Sequence, residues 1–380
     1  MKKNNLGPLL AVLVGFFVMG FVDIVTTATS YVQKDLRLSD TVAKMLPLAV
    51  FLWFALISIP TGSLMGRIGR KKTVLLSYAV TTVGMILPVV SYTLPVVMTA
   101  FALLGIGNTI LQVSLNPLLM DVVPQERLTS NLTLGQFIKA ICSTLGPIIL
   151  AGASAYLENW KLVFPLYAVI TILSFVWLSV TALRDEAKTT SVGNVWSLFR
   201  DGRIMLFFSV IVLIVGYEIG LVSTIPNYLE ERCGCTIEQG SFANFLYYTA
   251  RTLGTFLGAI ILARVSAKRF FVLSMCIAVA AFVGIMATPG VWVIYASLFI
   301  VGLACASVFA IVFGMAMQHN PQKANQISAL MITGVAGGAL IPPVMGVIAD
   351  RSSQLTSLVV PLLCLGYILF VSILIANRKK

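Results

Sequence analysis

Apolar runs of about twenty residues or more recur along the chain, near 7–30, 43–65, 73–92, 95–120, 129–156, 161–183, 203–227, 241–263, 270–288, 291–315, 326–349 and 355–376. Each is long enough to span ~30 Å of hydrocarbon as a helix, so the pattern predicts twelve transmembrane helices. The first run contains a polar exception, Asp23, within FFVMGFVDIVTTATSY from Phe16 to Tyr31. A charged side chain at membrane depth costs roughly 2.5–3.5 kcal/mol on insertion scales, which makes it a candidate functional position. Thr26, Thr27 and Ser30 follow at helical spacing and share its face.

The same pattern returns about 195 residues later. In IVLIVGYEIGLVSTIPNYL, Ile211 to Leu229, Glu218 stands where Asp23 stood and Tyr228 roughly where Tyr31 stood. The loop GSLMGRIGRKK, Gly62 to Lys72, finds a counterpart in GAIILARVSAKR, Gly258 to Arg269, and Gly146-Pro147 finds one in Pro342-Pro343, at nearly the same offset. In the first loop Gly62 and Gly69 permit a tight crossing, while Arg67, Arg70 and the lysines hold the cytoplasmic interface. Pro147 and Pro343 mark matching points in spans five and eleven. The chain therefore reads as two six-span repeats, 1–184 and 202–380, joined by a polar cytoplasmic segment at 185–201. Parallel repeats related by an axis along the membrane normal, with a site between the halves, are the architecture of major facilitator transporters.

Composition agrees with a membrane protein: 58% of residues are hydrophobic and 11% charged, against about 25% charged in soluble domains. The net charge of +12 is distributed by topology. With the N-terminus cytoplasmic, eighteen Lys and Arg lie at cytoplasmic edges, six at outer edges, and two, Lys139 and Arg251, within spans. The positive-inside rule thus puts both termini in the cytoplasm and accounts for the basic excess without nucleic acid. The first run is too long for a cleavable signal. Cys142, Cys276, Cys305 and Cys364 fall in apolar spans, and Cys233 and Cys235 fall after span seven, where a Cys-x-Cys disulfide would be strained and free thiols are expected. The single histidine, His319, falls in a cytoplasmic loop, and no metal site is expected.

Four stretches in order resemble one family. They are the Gly62–Lys72 loop, GIGNTILQVSLNP in span four from Gly105 to Pro117, VGYEIGLVSTIPNYL in span seven from Val215 to Leu229, and GGALIPPVMGVIAD in span eleven from Gly337 to Asp350. Together they resemble the fucose/glucose–galactose:proton symporter family of the major facilitator superfamily, over nearly the whole chain. Gly66 stands where the loop signature usually has aspartate. The resemblance implies a proton-coupled importer of monosaccharides working by alternating access, with the proton as coupling ion and no other cofactor. It also implies that Asp23 matches a span-one aspartate used in transport. Gln112 matches the glutamine of the glucose-like branch, where the fucose branch has glutamate, and Glu218 matches a glutamate of the same glucose-like branch. Glu218 and Asp23 are therefore the expected proton-coupling pair.

Polar stripes supply candidate substrate contacts. Asn108, Gln112 and Asn116 recur at every fourth position of span four, either as a sugar-facing wall or as bonds between helices. Amides offer both a donor and an acceptor, which suits sugar hydroxyls. Gln136, Lys139 and Ser143 line one face of span five, and Asn244, Tyr248, Arg251 and Thr255 one face of span eight. The family usually has asparagine at the position of Lys139 and arginine at that of Thr255, so the two bases depart from it. Either they neutralise Asp23 and Glu218, or they bind a negatively charged substrate such as a hexuronate or sialic acid.

The expected fold is an all-α integral membrane protein, two six-helix bundles with pseudo-two-fold symmetry and a cavity lined by spans one, four, five, seven and eight. The expected setting is the cytoplasmic (inner) membrane, with a small-molecule sugar and the bilayer as partners and a functional monomer. A channel builds selectivity from rings of like residues. A membrane enzyme needs a nucleophile–base or metal cluster that one histidine does not supply. A drug exporter of the same fold is the nearer rival, but its glycine-rich span five is represented here only by Gly146-Pro147 and Gly152.

Overall fold

The computed structural model describes residues 6–38, 40–183, 195–235 and 237–377. Within them the chain is helical throughout, with no strand among the described residues. Eleven helical stretches are long and apolar enough to cross a membrane, from Leu6–Asp23 to Gln354–Asn377. The remaining span, the second, lies in the helix Asp40–Ile68, whose Leu52–Ile68 portion is the apolar part. The fold is thus the predicted all-α membrane architecture, with twelve helical spans in sequence.

Packing groups the chain into two compact units. The first comprises Met1–Gln125, Ile138–Leu198 and Asn320–Thr333; the second comprises Glu126–Phe137, Phe199–His319 and Gly334–Lys380. The repeat boundaries at 184 and 202 follow the covalent order, whereas packing assigns the start of span five to the second unit and the start of span eleven to the first. Most of the expected linker, 185–194, lies outside the described residues. Its end forms a short 3-10 helix, Val195–Arg200.

Among the described residues, spans one, ten and eleven are interrupted within their length. Span one runs Leu6–Met19, tightens to a 3-10 turn at Gly20–Asp23 and resumes as Ile24–Asp35. A Cβ on Gly20 would lie 2.7 Å from Cys142 Cβ and 2.8 Å from the Lys139 carbonyl, so glycine lets span one approach span five at the break. Phe21, in the turn, stacks on Tyr167 of span six with ring centroids 4.0 Å apart. Span ten breaks between Val291–Cys305 and Val308–His319. Span eleven passes from Ala324–Thr333 through a 3-10 stretch, Gly334–Ala339, to Ile341–Arg351. There Gly337 lies against the Val212 backbone of span seven, where a Cβ would collide. Pro342 and Pro343 fall in the first turn of the last segment, where a missing N–H is harmless.

The Gly62–Lys72 loop is a single tight turn between helices ending at Ile68 and beginning at Arg70. Gly69 makes it possible with φ 93° and ψ 162°, a region essentially restricted to glycine. Gly69→Ala is expected to cost about 1–3 kcal/mol and to lower the melting temperature of the detergent-purified protein; an unchanged melting temperature would contradict this account of the turn. Span seven begins with a different device. Asp201 accepts from the N–H groups of Arg203 (2.9 Å) and Ile204 (3.3 Å), and its other oxygen lies 3.1 Å from His319 Nε2. Burial alone would raise its pKa; the two N–H bonds and the His319 charge outweigh it and hold the carboxyl below its ordinary range. The cap is therefore strongest above that range and weakens as pH falls. His319 itself ends the helix of span ten rather than lying in a loop.

Candidate functional site

A proline inside a helix removes one N–H and leaves the carbonyl four residues earlier without its helical partner. In a membrane that carbonyl must be satisfied within the protein. Pro117 of span four releases Val113, and the Ser328 hydroxyl donates to the Val113 carbonyl at 2.6 Å. Pro226 of span seven releases Val222, and Asn244 Nδ2 donates to the Val222 carbonyl at 3.0 Å. The broken turn of span one poses the same problem at Met19, and Asn108 Nδ2 donates to the Met19 carbonyl at 2.7 Å. Several candidate polar side chains thus have backbone partners within their own unit.

In the first unit these bonds extend into a ladder. Asn116 Nδ2 donates to the Gln112 carbonyl at 2.9 Å, and Gln112 Nε2 donates to Asn108 Oδ1 at 2.7 Å. Asn108 then holds Met19, the residue before the turn that presents Asp23. All three amides are buried. Asp23 is half-buried and accepts from the Ser143 hydroxyl of span five. Lys139, one turn before Ser143 on the same helix, is half-buried. The side chains of Thr26, Thr27, Ser30 and Pro147 lie outside the described residues. Asn108→Ala tests whether the amide face braces the turn or only lines a sugar site. As a brace, its loss leaves a buried carbonyl and amide unsatisfied and costs about 1–3 kcal/mol. The sugar-free protein should then melt at lower temperature; a raised KM with unchanged sugar-free stability would assign it to the sugar alone.

In the second unit the two charges meet. Arg251 Nη1 of span eight lies 2.6 Å from Glu218 Oε1 of span seven, with side chains 39% and 15% exposed. The pair opens on a cavity lined also by Tyr217, Tyr247, Cys305, Ala306 and Phe309, so it sits at the break in span ten. Tyr248 is half exposed and outside this lining, whereas Tyr247 is buried within it. The sequence stripe selected Tyr248 through its spacing from Asn244; the spacing of Tyr247, four residues before Arg251, was the overlooked signal. Tyr217, Cys305 and Phe309 were likewise not singled out as site residues. Thr255 is buried and bonds the Thr252 carbonyl at 2.8 Å, and Gln136 is half-buried in the second unit.

The Gly62–Lys72 turn has its own constellation in the first unit. Arg70 donates to Asp121 Oδ1 (2.5 Å), Asn325 Oδ1 (2.8 Å) and the Pro117 carbonyl (3.0 Å). One guanidinium thereby ties span three to span four and to the start of span eleven. Gly62 packs against that same segment, its would-be Cβ 2.6 Å from Ala329 Cβ. Arg67 is exposed, as is Pro343 in the second unit. Toward the end of span seven, Tyr228 donates to the Ile285 carbonyl at 2.7 Å, and Cys233 and Cys235 are free thiols.

Comparison with known proteins agrees with this architecture. A glucose/galactose transporter of Brucella abortus is 24% identical over 397 residues, covering 97% of this chain and 94% of its own. A putative glucose/galactose transporter of Helicobacter pylori is 24% identical over 400 residues, covering 97% of each. An L-fucose-proton symporter of Haemophilus influenzae is 20% identical over 414 residues, covering 96% of this chain and 95% of its own. The crystal structure of the transporter FucP in the outward conformation superposes with a TM-score of 0.86 at 18% identity, covering 99% of this chain and all of that one. The family model of the Major Facilitator Superfamily matches residues 11–343. By the extent of that match, the chain belongs to the Major Facilitator Superfamily.

Proposed function

We propose that this protein imports a neutral monosaccharide, a hexose or deoxyhexose, together with a proton by alternating access. The observation that carries the reading is the Glu218–Arg251 pair at 2.6 Å inside one unit. An ionised Glu218 neutralises Arg251, which removes one of the two reasons to expect an anionic substrate. Protonation abolishes that attraction, so proton binding changes how spans seven and eight are held together. Glu218 is the proton carrier, and Asp23, on the broken turn of span one, acts in substrate binding and coupling. The names of the relatives, glucose/galactose transporters and a fucose-proton symporter, support a sugar as substrate and a proton as coupling ion. The distribution of Lys and Arg supports a cytoplasmic-membrane location with both termini inside.

The energetics are adequate. At one proton per sugar, each pH unit of gradient supplies about 1.4 kcal/mol, enough for about tenfold accumulation. A second reading, transport of a hexuronate or sialic acid, retains Lys139, one turn before the Ser143 that bonds Asp23, as its positive contact. Uptake into proteoliposomes of a panel of neutral hexoses, hexuronic acids and sialic acids, with and without a pH gradient, separates the two. A neutral sugar should accumulate when the exterior is acid relative to the interior. Accumulation of a sugar acid without uptake of neutral hexoses would replace this reading by the second.

A further inference from the structure

Span seven ends in Cys233-Gly234-Cys235, and neither thiol enters the account of transport given above. The helix runs Gly202–Cys233, and Gly234 closes it at φ 64° and ψ 26°, in the left-handed helical region. The Gly234 N–H donates to the Glu230 carbonyl at 3.0 Å and the Cys235 N–H to the Leu229 carbonyl at 3.2 Å, so the chain doubles back on the last turn. A residue at helical angles of either hand holds its neighbours' Cα atoms about 5.4 Å apart, inside the range that disulfides bridge. Both cysteines are free, and their thiols lie within hydrogen-bonding reach of each other. Cys233 is partly exposed and donates to the Pro289 carbonyl at 3.2 Å, whereas Cys235 is 8% exposed.

We propose that Cys233 and Cys235 form a reversible dithiol–disulfide site, with Cys233 as the attacking thiol, Cys235 as the resolving thiol and a small-molecule disulfide as the oxidant. The inference stands apart from the sugar and from the proton carrier. Cys233 gives its proton to water, and the thiolate attacks one sulfur of the small disulfide. That S–S bond breaks, a bond to Cys233 forms, and one small thiolate leaves and takes up a proton. Cys235 then loses its proton and attacks Cys233 Sγ; the mixed bond breaks, the Cys233–Cys235 bond forms and a second small thiol leaves. The protein dithiol is oxidised and the small disulfide is reduced to two thiols. The second attack is intramolecular, which favours ring closure over a lasting mixed disulfide. A ring closed across a single residue is strained, so the bond is labile and returns to thiols when a reductant is supplied. Closure also removes the Cys233 proton donated to Pro289, which releases the end of span seven from the turn between spans nine and ten.

Mass spectrometry of the detergent-purified full chain tests this. The reduced protein is incubated with excess oxidised glutathione, blocked with iodoacetamide and mapped at the peptide that carries both cysteines. That peptide should appear unalkylated and lighter by two hydrogen atoms, in at least tenfold excess over its glutathione adduct. Dithiothreitol should restore both alkylatable thiols. Cys235→Ser should trap the glutathione adduct on Cys233, and Cys233→Ser should slow adduct formation at Cys235 at least tenfold. The wild-type result decides by itself if either variant does not fold. Alkylation of both wild-type thiols after the incubation, or a glutathione adduct on Cys233 that persists without closing, would overturn the inference.

Discussion

Glu218→Gln is expected to reduce pH-driven accumulation to simple equilibration while leaving counterflow exchange partly intact. The side chain keeps its length and can still accept from Arg251 through the amide oxygen, but it can neither take up nor release a proton. Counterflow requires the substrate-loaded carrier to alternate without net proton movement, so a fixed neutral side chain can support it. Sugar-loaded and sugar-free proteoliposomes, assayed with and without an imposed gradient, read the two modes separately. Accumulation that continues to follow the gradient in this variant would remove Glu218 from coupling. Asp23→Asn should behave differently and impair both modes. Asp23 lies on the turn held by Asn108 and accepts from Ser143, so its change alters the geometry of the first unit as well as a charge.

The hydrophobic pattern made the fold legible because a membrane span needs only length and apolarity, and both are written locally. The breaks were less legible. Span eleven announces its own with Gly334, Gly337 and Gly338, and Gly20 hints at the one in span one. Span ten breaks at Ala306 and Ser307, which carry no local signal. That break adjoins the Glu218–Arg251 cavity, so the feature nearest the chemistry was the least readable.

Polar residues at membrane depth were easy to find and hard to assign. Asn244 and Asn108 stand at the spacing expected of substrate contacts, yet each donates to a carbonyl, Val222 before Pro226 and Met19 at the span-one break. The residue type does not reveal which partner it takes; the position of a proline four residues beyond the acceptor does, once the neighbouring helix is known. The same reasoning explains Tyr247 and Tyr248. Adjacent helical positions point about 100° apart, and the sequence offers both spacings from Arg251 and Asn244, so only packing places Tyr247 in the lining and leaves Tyr248 half exposed.

The departure of Arg251 from the related family's usual arginine position, one turn earlier in span eight, carries the sharpest energetic consequence. Arg251→Gln leaves the Glu218 carboxylate, 15% exposed, without its positive partner. Breaking a fully buried pair from one side costs about 3–5 kcal/mol; with Arg251 39% exposed and able to draw on solvent, the loss here should lie below that range. The protein can recover part of it by neutralising the carboxylate, so Arg251→Gln should lose accumulation even though the Glu218 carboxyl is intact. Stability and transport should therefore respond differently to a second change. Combining Arg251→Gln with Glu218→Gln removes the orphaned carboxylate, so the double variant should melt at a higher temperature than Arg251→Gln alone while remaining uncoupled. Melting temperatures of the two single variants and the double variant at neutral pH, read as a double-mutant cycle, decide the matter. Additive effects on stability would show that the pair contributes no mutual stabilisation and would remove Arg251 from the account of Glu218.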